Sequence, residues 1–284
     1  MLKQRVITAL VLLAILLPAL FYSNTMPFTA IMLVFMAAGA WEWGRLNGLS
    51  GGAAVSVGVV CLALCGVSWQ LGWTHAPLPW LWTIAGAAWV LGGAMLLRVG
   101  VAGWPTIPKA VRLIGGVLAL WTAWLAVVQA RNVGINFLFS MLVLVWVADI
   151  FAYFAGRTFG LKFTKNKLAP AISPGKSWEG VWGGMAGVVV LACVWVAVDA
   201  STQAPVASFY SRLAAKGYWL LLLGAVFMAA MSVVGDLVES LVKRSAGMKD
   251  SSNLLPGHGG VLDRIDALLP TLPLAMMLTY FAAA

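Results

Sequence analysis

Apolar residues run in long stretches along this chain, and polar residues gather in the short breaks between them. Nine such stretches lie near residues 6–22, 27–44, 53–71, 80–97, 113–130, 135–155, 180–198, 218–238 and 267–283. Each has the length, about 17 to 21 residues, that a helix rising ~1.5 Å per residue needs to cross a hydrocarbon core roughly 30 Å thick. Barrel strands would show alternating segments of about 10 residues, and none are present. The pattern predicts an all-α polytopic membrane protein with about nine transmembrane helices. The first stretch follows Lys3 and Arg5 as a secretion signal would, but it is long and no small-x-small cleavage site follows it, so it reads as a helix. Pro and Gly mark the edges of most stretches, as at Leu78-Pro79 and Ala169-Pro170. Gly180/Gly184 and Gly183/Gly187 have the small-xxx-small spacing that lets helices approach closely.

Composition removes the soluble alternatives. Of 284 residues 62% are hydrophobic and about 10% are charged, where a soluble domain carries about 25% charge. Cys61, Cys65 and Cys193 all lie in apolar stretches, which argues against a disulfide framework or a zinc site. The net charge of +9 does not indicate a nucleic-acid partner, because the bases sit in the short breaks. Counted by alternate loops, fifteen fall on one side: Lys3, Arg5, Arg45, Arg98, Lys109, Arg112, Arg157, Lys162, Lys165, Lys167, Lys176, Lys243, Arg244, Lys249 and Arg264. Only Arg131, Arg212 and Lys216 fall on the other. The positive-inside rule then puts the N-terminus in the cytosol and the C-terminus on the far side. Residues 1–284 read as a single membrane domain. Its helices within 1–131 carry few motifs, and 132–284 is the half with chemistry, including two longer cytosolic segments, 156–179 and 239–266.

The acids are sorted too. Glu42, Asp149, Glu179, Asp236, Glu239, Asp250, Asp263 and Asp266 fall in the cytosolic loops or at the cytosolic ends of spans, and Asp199 alone lies opposite. Acids at a bilayer rim are costly and generally partnered, so the clustering points to a site that opens to the cytosol, whereas a transporter more often places them near the midplane. Ser232, Asp236, Glu239, Ser240 and Lys243 share one helical face, and Asp263 and Asp266 are three apart at the start of the last span. Two helix ends that present acid pairs can bind a hard divalent cation through oxygen. The same acids can equally form an interfacial ion-pair network with Lys243, Arg244, Lys249 and Arg264.

Between them lies Leu255-Pro256-Gly257-His258-Gly259-Gly260, a loop whose glycines leave backbone N–H groups unobstructed, as in an anion nest, or which is simply a turn into a helix. The other long loop runs from Lys162, Lys165 and Lys167 to Ile172-Ser173-Pro174-Gly175-Lys176-Ser177-Trp178-Glu179-Gly180, beside Asp149 and Tyr153. Membrane anchoring explains its lysines; a cationic pocket for a polyphosphate or lipid phosphate explains the hydroxyls and the Pro-Gly turn as well.

The run from Ser240 through Lys243-Arg244, Lys249-Asp250, Pro256, His258-Gly259-Gly260 and Asp263-Arg264 to Asp266 resembles the signature of the phosphatidate cytidylyltransferases, the CDP-diacylglycerol synthases. The resemblance extends to Gly235-Asp236-Leu237-Val238-Glu239, the 172–180 loop and Asp149 to Tyr153. It implies transfer from CTP (or dCTP) to phosphatidate, giving CDP-diacylglycerol and pyrophosphate, in a homodimer of the plasma (inner) membrane with its site facing the cytoplasm. It also implies Mg²⁺, and leaves open a second cation, K⁺ or another divalent. Matched position by position, it assigns Asp236, Asp263 and Asp266 to metal binding with Glu239 as a further ligand or supporting group. Lys243, Arg244, Lys249 and Arg264 would meet substrate phosphates. Asp250, Gly259 and Gly260 would shape the loop beside the substrates, and His258 would protonate the leaving pyrophosphate or serve as a turn residue. Ser173, Lys176 and Ser177, with Asp149 nearby, would contact nucleotide or phosphatidate. A membrane transferase acting on another lipid alcohol or phosphate would share this site logic; a transporter would share only the helices.

Overall fold

A computed structural model describes residues 2–283. The side chains of Leu2, Lys3 and Arg5 lie outside the described residues, and with them the basic start of the chain. The nine apolar stretches are all helical. They form α1 (Leu2–Phe21), α2 (Met26–Leu46), α3 (Gly51–Gln70), α4 (Pro79–Ala87) continued by α5 (Gly93–Gly103), α6 (Lys109–Val133), α7 (Ile135–Phe159), α8 (Trp178–Thr202), α10 (Tyr218–Ser245) and α12 (Leu268–Ala283). Eight of these spans are long and apolar enough to cross a membrane among the described residues, and the apolar part of α1, Val6–Phe21, is shorter. At ~1.5 Å per residue its 16 residues reach roughly 24 Å.

The helices end where the sequence removes a donor or frees the backbone. Pro79 opens α4 at a position where its missing N–H is harmless. A single residue, Gly134 at φ 150°, separates α6 from α7, so the four-residue turn expected there contracts to one glycine. Between α4 and α5, Ala88–Gly92 form a π-helical turn. The loop after α7 folds into an antiparallel hairpin of β1 (Lys167–Ala169) and β2 (Ser173–Ser177), with Lys167 opposite Ser177. Two short helices complete the order: α9 (Phe209–Lys216) and α11 (Leu262–Ile265).

Hydrogen bonds tie the helix ends into two opposite faces of the bundle. On one face Thr8 donates to Pro256 O, Lys109 to Gly48 O, and Arg112 to Asn47. On the other, Arg131 donates to the carbonyls of Leu20 and Tyr22, Gln129 to those of Trp73 and Ala76, and Asn136 to Asp199 and Val206 O. Asp199 also caps the segment before α9 through Ser208 and Ser211, so the one acid set apart in the sequence has a structural role.

Helices α7 and α8 pack most intimately, and the glycine spacing explains how. A Cβ on Gly180 or Gly184 would press on the carbonyls of Ala152 or Ala148 at 3.0 and 2.8 Å. Elsewhere α4 packs on α12, α5 on α10 and α6 on α12, while α5 and α6 make little contact with each other. A cleft floored by α10 and α12 separates them.

Candidate functional site

The site forms where α10 emerges from the apolar layer. Hydropathy ends that span near residue 238, but the helix continues to Ser245 because its last polar turns are paired. Lys243 Nζ lies 2.5 Å from Glu239 Oε2, one helical turn earlier, and 2.6 Å from Asp263 Oδ1 across the loop. Ser240 donates to Asp236 Oδ1 at 3.2 Å, and the other oxygen of Asp236 pairs with Lys176 from β2. Asp149 on α7 and Asp266 both lie within electrostatic reach of Asp236. The structure therefore brings Asp149, Lys176, Asp236, Glu239, Lys243, Asp263 and Asp266 from four separate segments to one region. Glu239 is buried, and its Oε1 has no hydrogen-bond partner.

The glycine-rich loop holds an anion, and the anion is the protein's own. Asp263 Oδ2 accepts from Gly260 N at 2.7 Å and from both the N–H and hydroxyl of Ser251 at 2.9 Å. Glu42, fully buried at the end of α2, accepts from Val261 N at 3.0 Å, Leu262 N at 2.8 Å, Ser252 Oγ at 2.5 Å and Ser251 Oγ at 3.2 Å. These N–H groups are enclosed by protein and need acceptors, which the two carboxylates supply. The glycines are required by the same closeness. A Cβ on Gly260 would lie under 3.0 Å from Ser251 Oγ and Glu42 Oε1, and Gly259 combines φ 81° with an equally close approach to Asp263.

Other expected residues stand further out. His258 has a turn role on its backbone: its N–H bonds Leu255 O and its carbonyl accepts from Arg264 Nε and Nη2 at 3.1 and 2.8 Å, while its buried Nδ1 has no hydrogen-bond partner. Arg244 bridges the two long loops, through Ile172 O at 3.4 Å and Met248 O at 3.3 Å. Lys249 and Asp250 are exposed and line an outer pocket of about 500 Å³ with Trp41, Arg45, Ser252 and Asn253. Ser177 is buried, and its hydroxyl is occupied as the N-cap of α8, accepting from Gly180 N at 3.2 Å. Lys176, next to it, is thereby aimed at Asp236, whereas Ser173 sits half-buried at the other end of β2. Glu179 folds the preceding loop by accepting from Phe163 N, Thr164 N and Thr164 Oγ1.

Among the described residues no three His, Cys, Asp or Glu side chains are arranged as a group that could hold a metal ion. Ammonium groups occupy the positions between the acids: Lys243 lies between Glu239 and Asp263, and Lys176 lies against Asp236. The donors are nonetheless all oxygen, the type a hard divalent ion selects, and three of the four carboxylates, Asp236, Glu239 and Asp263, already hold an ammonium group. The sequence places Glu42 among the acids of this face and assigns it no role. The signal that could have found it is an acid inside an otherwise apolar run, flanked by Trp41 and Trp43. Ser251 and Ser252 carried no such signal.

Comparison with known proteins adds to this geometry. A family model described as the cytidylyltransferase family matches residues 3–282. A phosphatidate cytidylyltransferase of Pseudomonas aeruginosa is 39% identical over 297 residues, covering 99% of this chain and 98% of that one. One of Haemophilus influenzae is 34% identical, covering 99% of each chain. One of Bacillus subtilis is 40% identical over a shorter match, 51% of this chain and 49% of its own.

Proposed function

This chain belongs to the cytidylyltransferase family, and from that membership we propose that it transfers the cytidylyl group of CTP to phosphatidate, releasing pyrophosphate and leaving CDP-diacylglycerol in the membrane. The observation that carries the reading is the Lys243 ammonium held between Glu239 and Asp263, beside the Lys176–Asp236 pair, at one face of an apolar bundle. A phosphate oxygen of phosphatidate attacks the α-phosphorus of CTP, and the bond to the pyrophosphate oxygen breaks in line. The nucleophile is already anionic, so the obstacle is repulsion between two anions, and catalysis consists of positioning and charge neutralisation. Lys243 and Lys176 supply mobile positive charge once substrate phosphates compete for them. Asp263 and Glu42 hold the 251–262 loop in one shape while this happens.

Asp236, Glu239, Asp263 and Asp266 are the oxygen donors that would hold Mg²⁺ in place of the Lys176 and Lys243 ammonium groups, and the ion would supply charge neutralisation on the triphosphate. Lys249, Asp250, Arg244 and Arg264 form the outer rim where a nucleotide arrives, and the excess of basic residues on this face supports a cytosolic orientation in the bacterial inner membrane. The experiment is transfer from CTP labelled at its α-phosphate, with phosphatidate and Mg²⁺ in detergent micelles. Label in the lipid phase is expected. Folded protein that yields none overturns the reading, and label on a lipid alcohol instead moves the chain to a different acceptor.

A further inference from the structure

The cleft between α5 and α6 has a volume of about 460 Å³, within the usual range of ligand sites. Its walls are apolar apart from Arg112 and Glu239, which lie toward the functional face, and Thr122, whose hydroxyl is taken up by the carbonyls of Leu118 and Ala119. Glu239, with its unpartnered Oε1, belongs both to the cleft wall and to the carboxylate cluster. Gly235 and Leu262, neighbours in sequence of Asp236 and Asp263, line it too. At the mouth stands Arg112, whose guanidinium lies 5.7 Å over the Trp104 ring and whose buried Nε has no hydrogen-bond partner. The cleft is thus an apolar groove with one polar end, and that end is continuous with the site.

We propose that this cleft holds an acyl chain of the lipid substrate, with the lipid's phosphate at the polar end between Arg112 and the carboxylate–lysine cluster. The proposal rests on the phosphatidate reading above and extends it by assigning where the tail lies and what measures it. Three features of the walls fit a linear hydrocarbon. The two flanking helices rest on α10 and α12 rather than on each other, and Ile84, Met95, Val111 and Leu118 on the walls are exposed, so the groove opens outward on the apolar side of the bundle. The π-helical turn at Ala88–Gly92 interrupts the regular ladder where it faces the cleft, and such turns recur at functional sites. Gly92 and Gly115 both line the cleft, and a Cβ on either would meet nothing within 4 Å, so these glycines leave room that no neighbouring side chain fills. Gly115 is one turn of α6 below Arg112, whereas Gly92 lies about three helical turns before Trp104, whose ring stands under Arg112 at the mouth. The two positions therefore gauge different depths.

The test compares dioleoyl and dihexanoyl phosphatidate as acceptors for the full chain in detergent micelles. Gly92→Leu is expected to lower the preference for the long lipid over the short one at least ten-fold, because dihexanoyl tails stop short of that depth. Gly115→Phe, near the mouth, is expected to impair both lipids. Gly66→Phe on α3, also a site with nothing within 4 Å of a Cβ but outside the cleft, controls for a bulky side chain facing lipid. An unchanged preference in Gly92→Leu overturns the proposal. A second readout does not need turnover: phosphatidate with a diazirine at mid-chain should photolabel peptides of α4–α5 and α6, and Gly92→Leu should reduce the yield. Labelling confined to helices that do not line the cleft, such as α3 or α8, or cross-linking of two copies of the chain through this cleft, overturns the assignment. Labelling in the cleft by a wild-type protein that transfers no cytidylyl group would sink the proposed reaction and leave the lipid groove standing.

Discussion

Glu42 receives four donors on two oxygens, two of them main-chain N–H groups that open α11. Each buried donor left without an acceptor costs ~1–3 kcal/mol. An amide in place of the carboxylate points an NH₂ at groups that are themselves donors, so Glu42→Gln is expected to lower both the melting temperature and kcat, the latter at least ten-fold. Thermal unfolding and turnover of the same sample check this, and wild-type values for both would show the contact to be dispensable. Asp263 has the analogous position, with Lys243 on one oxygen and three donors on the other. Asp263→Asn is expected to reduce turnover more than 100-fold while the protein still inserts and purifies; near-normal activity would remove Asp263 from the site. The acids and bases of the motif were legible from their spacing. Glu42 was not, because its partners lie 209 to 220 residues away in the chain and no local pattern records a contact of that range.

At the scale of elements, the helices were legible wherever apolar length alone decides them. The extension of α10 to Ser245 was not, because a hydropathy window counts Asp236, Glu239 and Lys243 as an end, whereas their mutual pairing makes them part of the helix. Helix α9 leaves no hydropathy signal for a related reason: eight residues with polar positions on one face fall below any membrane window, although Phe209, Tyr210 and Leu213 are fully buried. The glycine spacing on α8 did foretell tight packing. Gly184→Val would push two methyl groups toward the backbone of α7 at Ala148, and overpacking of that kind costs ~1–3 kcal/mol. A lower melting temperature in micelles is expected, with Gly66→Val as an unaffected control. Equal melting temperatures would show that α7 and α8 can separate freely.

For the whole molecule, the shortage of charge matters less than its sorting, since bases and acids gather at the same end of the bundle. The orientation can be checked with a single thiol. In a Cys193→Ser background, with Cys61 and Cys65 buried, Asn253→Cys on the exposed outer loop should resist an impermeant maleimide in intact cells and react after the membrane is opened. Reaction in intact cells would invert the molecule and place the carboxylates outside. The contact between Glu42 and the 251–262 loop also sets an order of events during biogenesis. At ~5–20 residues per second a ribosome delivers the loop roughly 10 to 40 s after Glu42. Throughout that interval the carboxylate has none of its four donors, although Trp43 and Asn47 on the same helix end can already engage Arg112. The centre therefore closes last, when the final span enters, and a nascent chain released before that point is inserted in the membrane but inert.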